Sequence, residues 1–327
     1  MNRRRALSAL LALGLAPAMQ GRAQSPRRIA VITWRGGLMS HDGSAGREFL
    51  AAMKQLGYAE RRDFVYDERL WERQDQAAGL VRELIALKPD VLIAPGPPSI
   101  LAAKAGTERV PIVMMYSAEP VEMGIVRSLN RPGGNITGLT WDHGFETALK
   151  ALELLKETLP RLRRVALLWD ATDSVHPIYA RHFEKGAPQL RLALLSVPVR
   201  ELADVEPALT RMKSEKADAL VILPSGQLTV PHRVQILETA MQAGLPTLYA
   251  YVGRDAPNAL LQYGPDLSAM PRRAATYVDR IFKGAKPGDI PVEQPDKYDL
   301  IVDLGAARKL GIRVPRSILM RADGVIE

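Results

Sequence analysis

The sequence predicts two α/β units, each a doubly wound parallel sheet with helices on both faces. Three observations support this. Apolar runs of strand length alternate with helical patterns along most of the chain, which implies crossover connections and parallel strands. The breaker cluster Pro132-Gly133-Gly134-Asn135 separates two apolar segments near the middle, with roughly equal α/β segments on either side. The chain has 327 residues, room for two ordinary domains.

In chain order, Arg28–Trp34 (RIAVITW) is apolar without alternation, the pattern of a strand buried on both faces. A helix at about 43–57 follows, then a strand near Phe64–Glu68 and a helix at about 74–87. Asp90–Ala94 (DVLIA) opens a third unit with a short helix from Ser99, and Pro111–Met115 (PIVMM) opens a fourth. Beyond the breaker the pattern predicts a helix at about 144–158 and a strand at 164–169 (RVALLW). Further strands are expected at 192–197, 218–223 and 246–250, with helices between them.

The first residues belong to neither unit. MNRRRALSALLALGLAPAMQGRAQ joins three arginines, an apolar run of roughly 14 residues and a small-x-small ending, the pattern of a secretory signal peptide over 1–23. The apolar run is short of the roughly 20 residues a membrane helix needs. Arg4-Arg5-Ala6-Leu7 also admits the twin-arginine route beside the general secretory one. The expected location is therefore the periplasm. Removing this segment, with its four arginines and no acid, lowers the formal charge from +8 to +4. The remaining basic residues are scattered, and no helix-turn-helix, zinc finger or aromatic-basic platform appears, so nucleic acid is not an expected partner. The chain has no cysteine, which excludes thiol catalysis, cysteine metal sites and an N-terminal lipid anchor on cysteine.

Pro132 fixes one dihedral, and Gly133 and Gly134 open conformations closed to other residues, so 132–140 reads as a surface turn or as the approach to a domain boundary. The flanking segments of similar length favour the boundary. The run VPIVMMYSAEPVEMGIVRSLNRPGGNITGLT resembles the central signature of bacterial ABC-transporter substrate-binding proteins: an apolar strand, an acid-Pro-Val, then S-L-x-x-P-G-G-N-x-T-G. ELIALKPDVLIAPGPPSILAAKAGT and the tail from Tyr263 to Glu327 are similar to the same group.

The resemblance implies a type I periplasmic binding-protein fold, two lobes joined by three crossings with ligand held between them. By that likeness the N-lobe is 27–138 plus 264–284 and the C-lobe 139–263 plus 285–327. The crossings then fall near 136–140, 261–265 and 284–292. Members with an assigned ligand bind aromatic or related amino acids. The implied partners are an aromatic or branched amino acid, or a related solute, and an ABC-transporter membrane permease; the protein is expected to be a monomer.

In open α/β sheets ligands sit beyond the carboxyl ends of the strands, where helix N-termini offer free N–H groups. On the N-lobe this singles out Trp34, Ser99 as an N-cap and carboxylate-binding candidate, and Tyr116, Ser117 and Glu119, the last as partner for an ammonium. On the other lobe it singles out Asp170, Ser174, Ser225 and Tyr251, and the resemblance adds Gln262. Each has a second reading: Ser99, Asp170 and Ser174 as caps or loop residues, Trp34 and Tyr251 as packing, and Glu119 as an acceptor for loop N–H groups. Glu119 stands where the family usually has aspartate, and Gln262 replaces a small residue beside Tyr263.

Catalysis finds little support. Arg35–Gly46 is glycine-rich without dinucleotide-binding spacing, and neither a phosphate-binding loop nor a nucleophile elbow is present. The five histidines never fall at metal-ligand spacing, and no cofactor or metal is expected. A solute-binding protein serving a permease is the leading expectation. A receptor subunit for a membrane sensor is the alternative, and an enzyme a remote one.

Overall fold

The computed structural model describes residues 25–35, 37, 39–141, 144–252 and 256–327; the expected signal peptide lies outside the described residues. One sheet holds β1 (Arg27–Trp34), β2 (Phe64–Trp71), β3 (Val91–Pro95), β4 (Ile112–Ser117) and β5 (Ile136–Thr140). They run parallel in the order β2-β1-β3-β4-β5. The other sheet holds β6 (Arg164–Asp170), β7 (Ala193–Val199), β8 (Ala219–Ile222), β9 (Thr247–Tyr249), β10 (Leu261–Pro265), β11 (Tyr298–Asp303) and β12 (Gly324–Ile326). Its order is β12-β11-β10-β9-β8-β6-β7, with β10 and β11 antiparallel and the other neighbours parallel.

Among the described residues ten α-helices connect the strands: α1 (Ser44–Gln55), α2 (Ala77–Ala86), α3 (Pro97–Gly106), α4 (Phe145–Thr158), α5 (His176–Gly186), α6 (Val205–Ser214), α7 (Arg233–Gln242), α8 (Met270–Phe282), α9 (Leu304–Lys309) and α10 (Arg316–Leu319). Side chains alternate across a strand, so an unbroken apolar run feeds two cores at once. Ile29, Val31, Val91, Ile93, Val113 and Met115 pack on one face of the first sheet with α1 and α8. Ala30, Ile32, Leu92, Ala94, Ile112 and Met114 pack on the other face with α2 and α3. The second sheet divides the same way: Val165, Leu167 and Val221 join α4 and α5, while Ala166, Leu168 and Leu220 join α6 and α7. Among the described residues no helix is long and apolar enough to cross a membrane.

The chain passes between the sheets after Thr140, between Pro265 and Met270, and between Glu293 and Tyr298. Each passage lies slightly later than expected. The residues read as connectors at 136–140 and 261–265 are strands β5 and β10. Extended backbone beside a sheet edge satisfies its N–H and C=O groups by pairing, so the strands persist through the flexible-looking residues. The segment 285–293, assigned above to the C-lobe, also runs beside the first sheet. Glu293 donates its N–H to the Gly138 carbonyl at 3.0 Å and accepts from the Thr140 N–H at 2.9 Å. Thr137 Oγ1 donates to the Ile290 carbonyl at 2.7 Å, and Gly133 N–H donates to the Gly288 carbonyl at 3.1 Å.

Gly138 is required where β4 meets β5. Its φ is 136°, and a Cβ there would sit 2.1 Å from the Met114 carbonyl oxygen. Backbone on both sides leaves nothing to give way. Gly138→Ala is expected to lower unfolding free energy by more than about 3 kcal/mol, since backbone strain alone costs about 1–3 kcal/mol. Urea denaturation of the variant checks this, and a loss below 1 kcal/mol would contradict it.

Candidate functional site

The carboxyl ends of β1, β3 and β4 in the first sheet, and of β6, β8 and β9 in the second, carry most of the expected site residues. Trp34 ends β1, half-buried against the α2/α3 face. Tyr116, near the end of β4, has a left-handed φ of 50°. Tyr251 follows β9, half-buried, with its ring edge-on to Tyr249 at 6.1 Å. Burial pushes both phenols above their ordinary range, and the charge of Tyr251 adds to the upward shift of Tyr116.

Ser99 corrects the capping expectation. The N-cap of α3 is Gly96, with a φ of 76° that suits glycine, and Pro97 and Pro98 fill the first two helical positions. Prolines carry no N–H, so two of the donors expected to meet a carboxylate do not exist. Ser99 is fully buried, and its Oγ accepts from the Trp71 indole N–H at 3.1 Å. Its hydroxyl joins α3 to the end of β2.

In the second sheet several candidates build the loops. Asp170 is buried, and its Oδ1 accepts from the Thr172 N–H at 2.8 Å and the Thr172 hydroxyl at 2.6 Å. Ser225 is buried; its Oγ accepts from the N–H groups of Leu228 and Thr229 at 3.1 and 3.2 Å. Gln262 is buried in the middle of β10, where its Nε2 donates to the Ala256 carbonyl at 3.4 Å. Ser174 is exposed. Ser117 is fully buried, and its Oγ makes no hydrogen bond.

Glu119 lies at the first passage between the sheets. It follows β4 with a φ of 44°, and its Oε1 is 3.4 Å from Nδ1 of His182 on α5. Gly144, with a φ of 62°, leaves the space the carboxylate fills: a Cβ there would meet Glu119 Oε1 at 2.5 Å. Burial, then the charges of Glu122 and Glu146, push the Glu119 carboxyl up, while burial pulls His182 down. Beside them Arg181 Nη2 donates to Glu122 Oε1 at 2.6 Å. A cavity of about 320 Å³ opens here, lined by Glu119, Thr140, Phe145, Glu146, His182 and Gln294 among others. A second, apolar pocket adjoins it at Gly144, walled by Trp141, Tyr179, Phe183, Leu223, Pro224 and Tyr263.

His176 and His182 were not singled out as site residues. His176 is fully buried and joins two strand ends. The Asp170 N–H donates to its Nδ1 at 2.9 Å, so that nitrogen is the acceptor and the ring proton sits on Nε2, which faces the Pro224 carbonyl at 3.2 Å. No sequence signal marks either histidine, because their partners come from other elements.

This architecture is that of a two-lobed α/β protein whose lobes are joined by several crossings. The chain belongs to the ABC transporter substrate binding protein family, whose model matches residues 36–326. It is similar to a tyrosine-binding protein of Clostridioides difficile, with 23% identity over 270 residues, 82% of this chain and 77% of the relative. Among solved structures, a conserved domain protein from Vibrio cholerae superposes with TM-score 0.81 at 25% identity, covering 91% of this chain and 99% of that one. A Streptococcus pneumonia ABC domain in complex with L-Trp also gives 0.81, at 22% identity, covering 92% and 100%. A leucine-binding protein of Thermotoga maritima gives 0.60 at 17% identity, covering 79% and 83%. The type I binding-protein fold implied by the resemblance is the one observed.

His176→Ala would leave the buried Asp170 N–H and the Pro224 carbonyl without their ring partner. Each unpaired buried group costs about 1–3 kcal/mol. Chemical denaturation should show a loss of about 2–4 kcal/mol; a change under 1 kcal/mol would mean that the ring does not hold the two strand ends together.

Proposed function

We propose that the protein is exported to the periplasm, captures one aromatic amino acid between its lobes and delivers it to an ABC permease. The proposed lobes are the two sheets with their helices, with α8 and the segment through Glu293 on the N-lobe. The observation that carries the reading is the match of residues 36–326 to the ABC transporter substrate binding protein family, with Trp34, Tyr116 and Tyr251 at the carboxyl ends of strands in the two sheets. Aromatic side chains supply a large apolar face together with a polar handle. The name of the Clostridioides difficile relative, tyrosine-binding, points the same way.

Ligand touching both lobes stabilises the closed arrangement by its differential affinity for that arrangement, and the closed form then docks on the permease. No bond is made or broken. Trp34, Tyr116 and Tyr251 are the proposed ring contacts. Ser99, Ser117, Asp170, Ser225 and Gln262 are proposed to shape the loops around the ligand, with Ser174 at the rim. Glu119 holds the crossing, and any contact it makes with the ligand ammonium is secondary to its place beside His182. No specific observation favours the sensor alternative.

The test is isothermal calorimetry of untagged protein with L-tyrosine, L-tryptophan, L-phenylalanine and L-leucine. One-to-one binding of at least one aromatic amino acid, tighter than leucine, is expected. At a ligand concentration 100 times Kd the added stability is about 2.7 kcal/mol, which a thermal-shift assay registers. Tyr251→Ala should weaken binding at least about tenfold, about 1.4 kcal/mol, with the fold retained. Failure of all four amino acids to bind would remove the ligand class.

A further inference from the structure

Glu119 and Glu122 follow β4 of the first sheet, whereas His182 lies on α5, which covers the second. Folding brings one donor atom from each within 4.8 Å of the others. Glu119 Oε1 and His182 Nδ1 are 3.4 Å apart. Two ligands on a tetrahedral ion with bonds of 2.0–2.1 Å are about 3.3 Å apart, so this spacing already equals one edge of such a site. Both atoms are sealed from solvent, and neither makes a hydrogen bond. Two buried polar atoms facing each other at this distance without a bond need an explanation. A shared cation supplies one.

The surroundings suit that reading. Glu122 is more exposed, and one of its carboxylate oxygens lies within 4.8 Å of the other two donor atoms, so its flexible side chain can close on the ion. Arg181 takes only Oε1 of Glu122. The absent side chain of Gly144 lets the Glu119 carboxylate sit against the crossing. The adjoining cavity, with Glu146 in its wall, offers space for a fourth ligand such as water. Imidazole with carboxylates is a donor set for Zn²⁺ and its first-row neighbours, and it lacks the oxygen-rich shell Ca²⁺ needs.

We propose that Glu119, Glu122 and His182 form a binding site for a divalent transition-metal cation, Zn²⁺ first among them, pinning the first sheet to α5 beside the crossing. The site does not depend on the identity of the amino-acid ligand. It forms no bond with that ligand and has no catalytic role.

The test uses untagged protein treated with EDTA, dialysed and titrated with Co²⁺, whose visible absorption reports coordination by histidine and carboxylate. One equivalent should produce intense four-coordinate bands that Zn²⁺ then abolishes. His182→Gln and Glu119→Gln should each remove the bands, whereas His41→Gln, at the exposed histidine beside Asp42 and Glu60, should leave them intact. Circular dichroism of the metal-free variants checks folding; if one fails to fold, the other carries the result. Absence of bands in the wild-type protein, or bands that persist in a folded His182→Gln or Glu119→Gln, overturns the site. Amino-acid calorimetry is scored separately, so either proposal can fail alone.

Discussion

The paired run of β5 with residues 287–293 is the constraint on which the two-sheet arrangement rests. β5 is the edge strand of the first sheet, and an uncovered edge presents a row of unpaired backbone groups. Glu293 closes that row through both its N–H and its carbonyl. Its side chain is held by Arg273 of α8, and the Tyr277 hydroxyl of the same helix donates to the Pro291 carbonyl at 2.7 Å. The third passage is thus fastened to the strand that leads into the first, with α8 bracing both. Gly288 marks the point of closest approach: a Cβ there would meet the Gly134 carbonyl oxygen at 2.7 Å. The Pro-Gly-Gly-Asn run is therefore a packing surface for the third passage, and the spatial demand falls on Gly288 rather than on the glycines of the run itself.

Most strands were legible because burial on both faces writes itself as an unbroken apolar run. RIAVITW, DVLIA, PIVMM and RVALLW all fall within a residue or two of β1, β3, β4 and β6. The crossings were read slightly early for a related reason. Glycine and proline signal a break in local preference, but neighbouring strands supplied partners that local preference does not contain. β10 keeps Gly264 and Pro265 inside the sheet because β11 lies antiparallel to it. The α3 start failed differently: Pro97 and Pro98 were visible in the sequence, and their missing N–H groups already argued against an anion site there.

The site was less legible than the fold because polar residues take their roles from partners distant in the chain. Asp170 and Ser225 look like ligand residues at strand ends, yet their oxygens close their own loops. Ser99 serves the Trp71 indole. Glu119 was recognisable as an acid in a family position, but its neighbour His182 lies on another unit, and histidine spacing along the chain carries no trace of the pair. Tyr116 and Tyr251 lie at strand ends, as the sequence pattern predicts, because strand ends are fixed by topology.

Position relative to the crossings decides what a contact between the sheets does during closure. In a rigid-body rotation, displacement grows with distance from the axis. The segment after β4 stays with the crossing: Trp141 N–H donates to the Ser117 carbonyl at 3.0 Å, and Ala118 is buried in the α4/α5 core of the other unit. Under the proposed closure, Glu119 and Glu122 are therefore placed near the pivot. Contacts there, including the Arg181–Glu122 pair, would then stiffen it. That pair is exposed on both sides, and such pairs contribute at most about 1 kcal/mol, so it adds little to that stiffness. Under the proposed reading, a ligand held between Tyr116 of the first sheet and Tyr251 of the second converts its contact energy into closure.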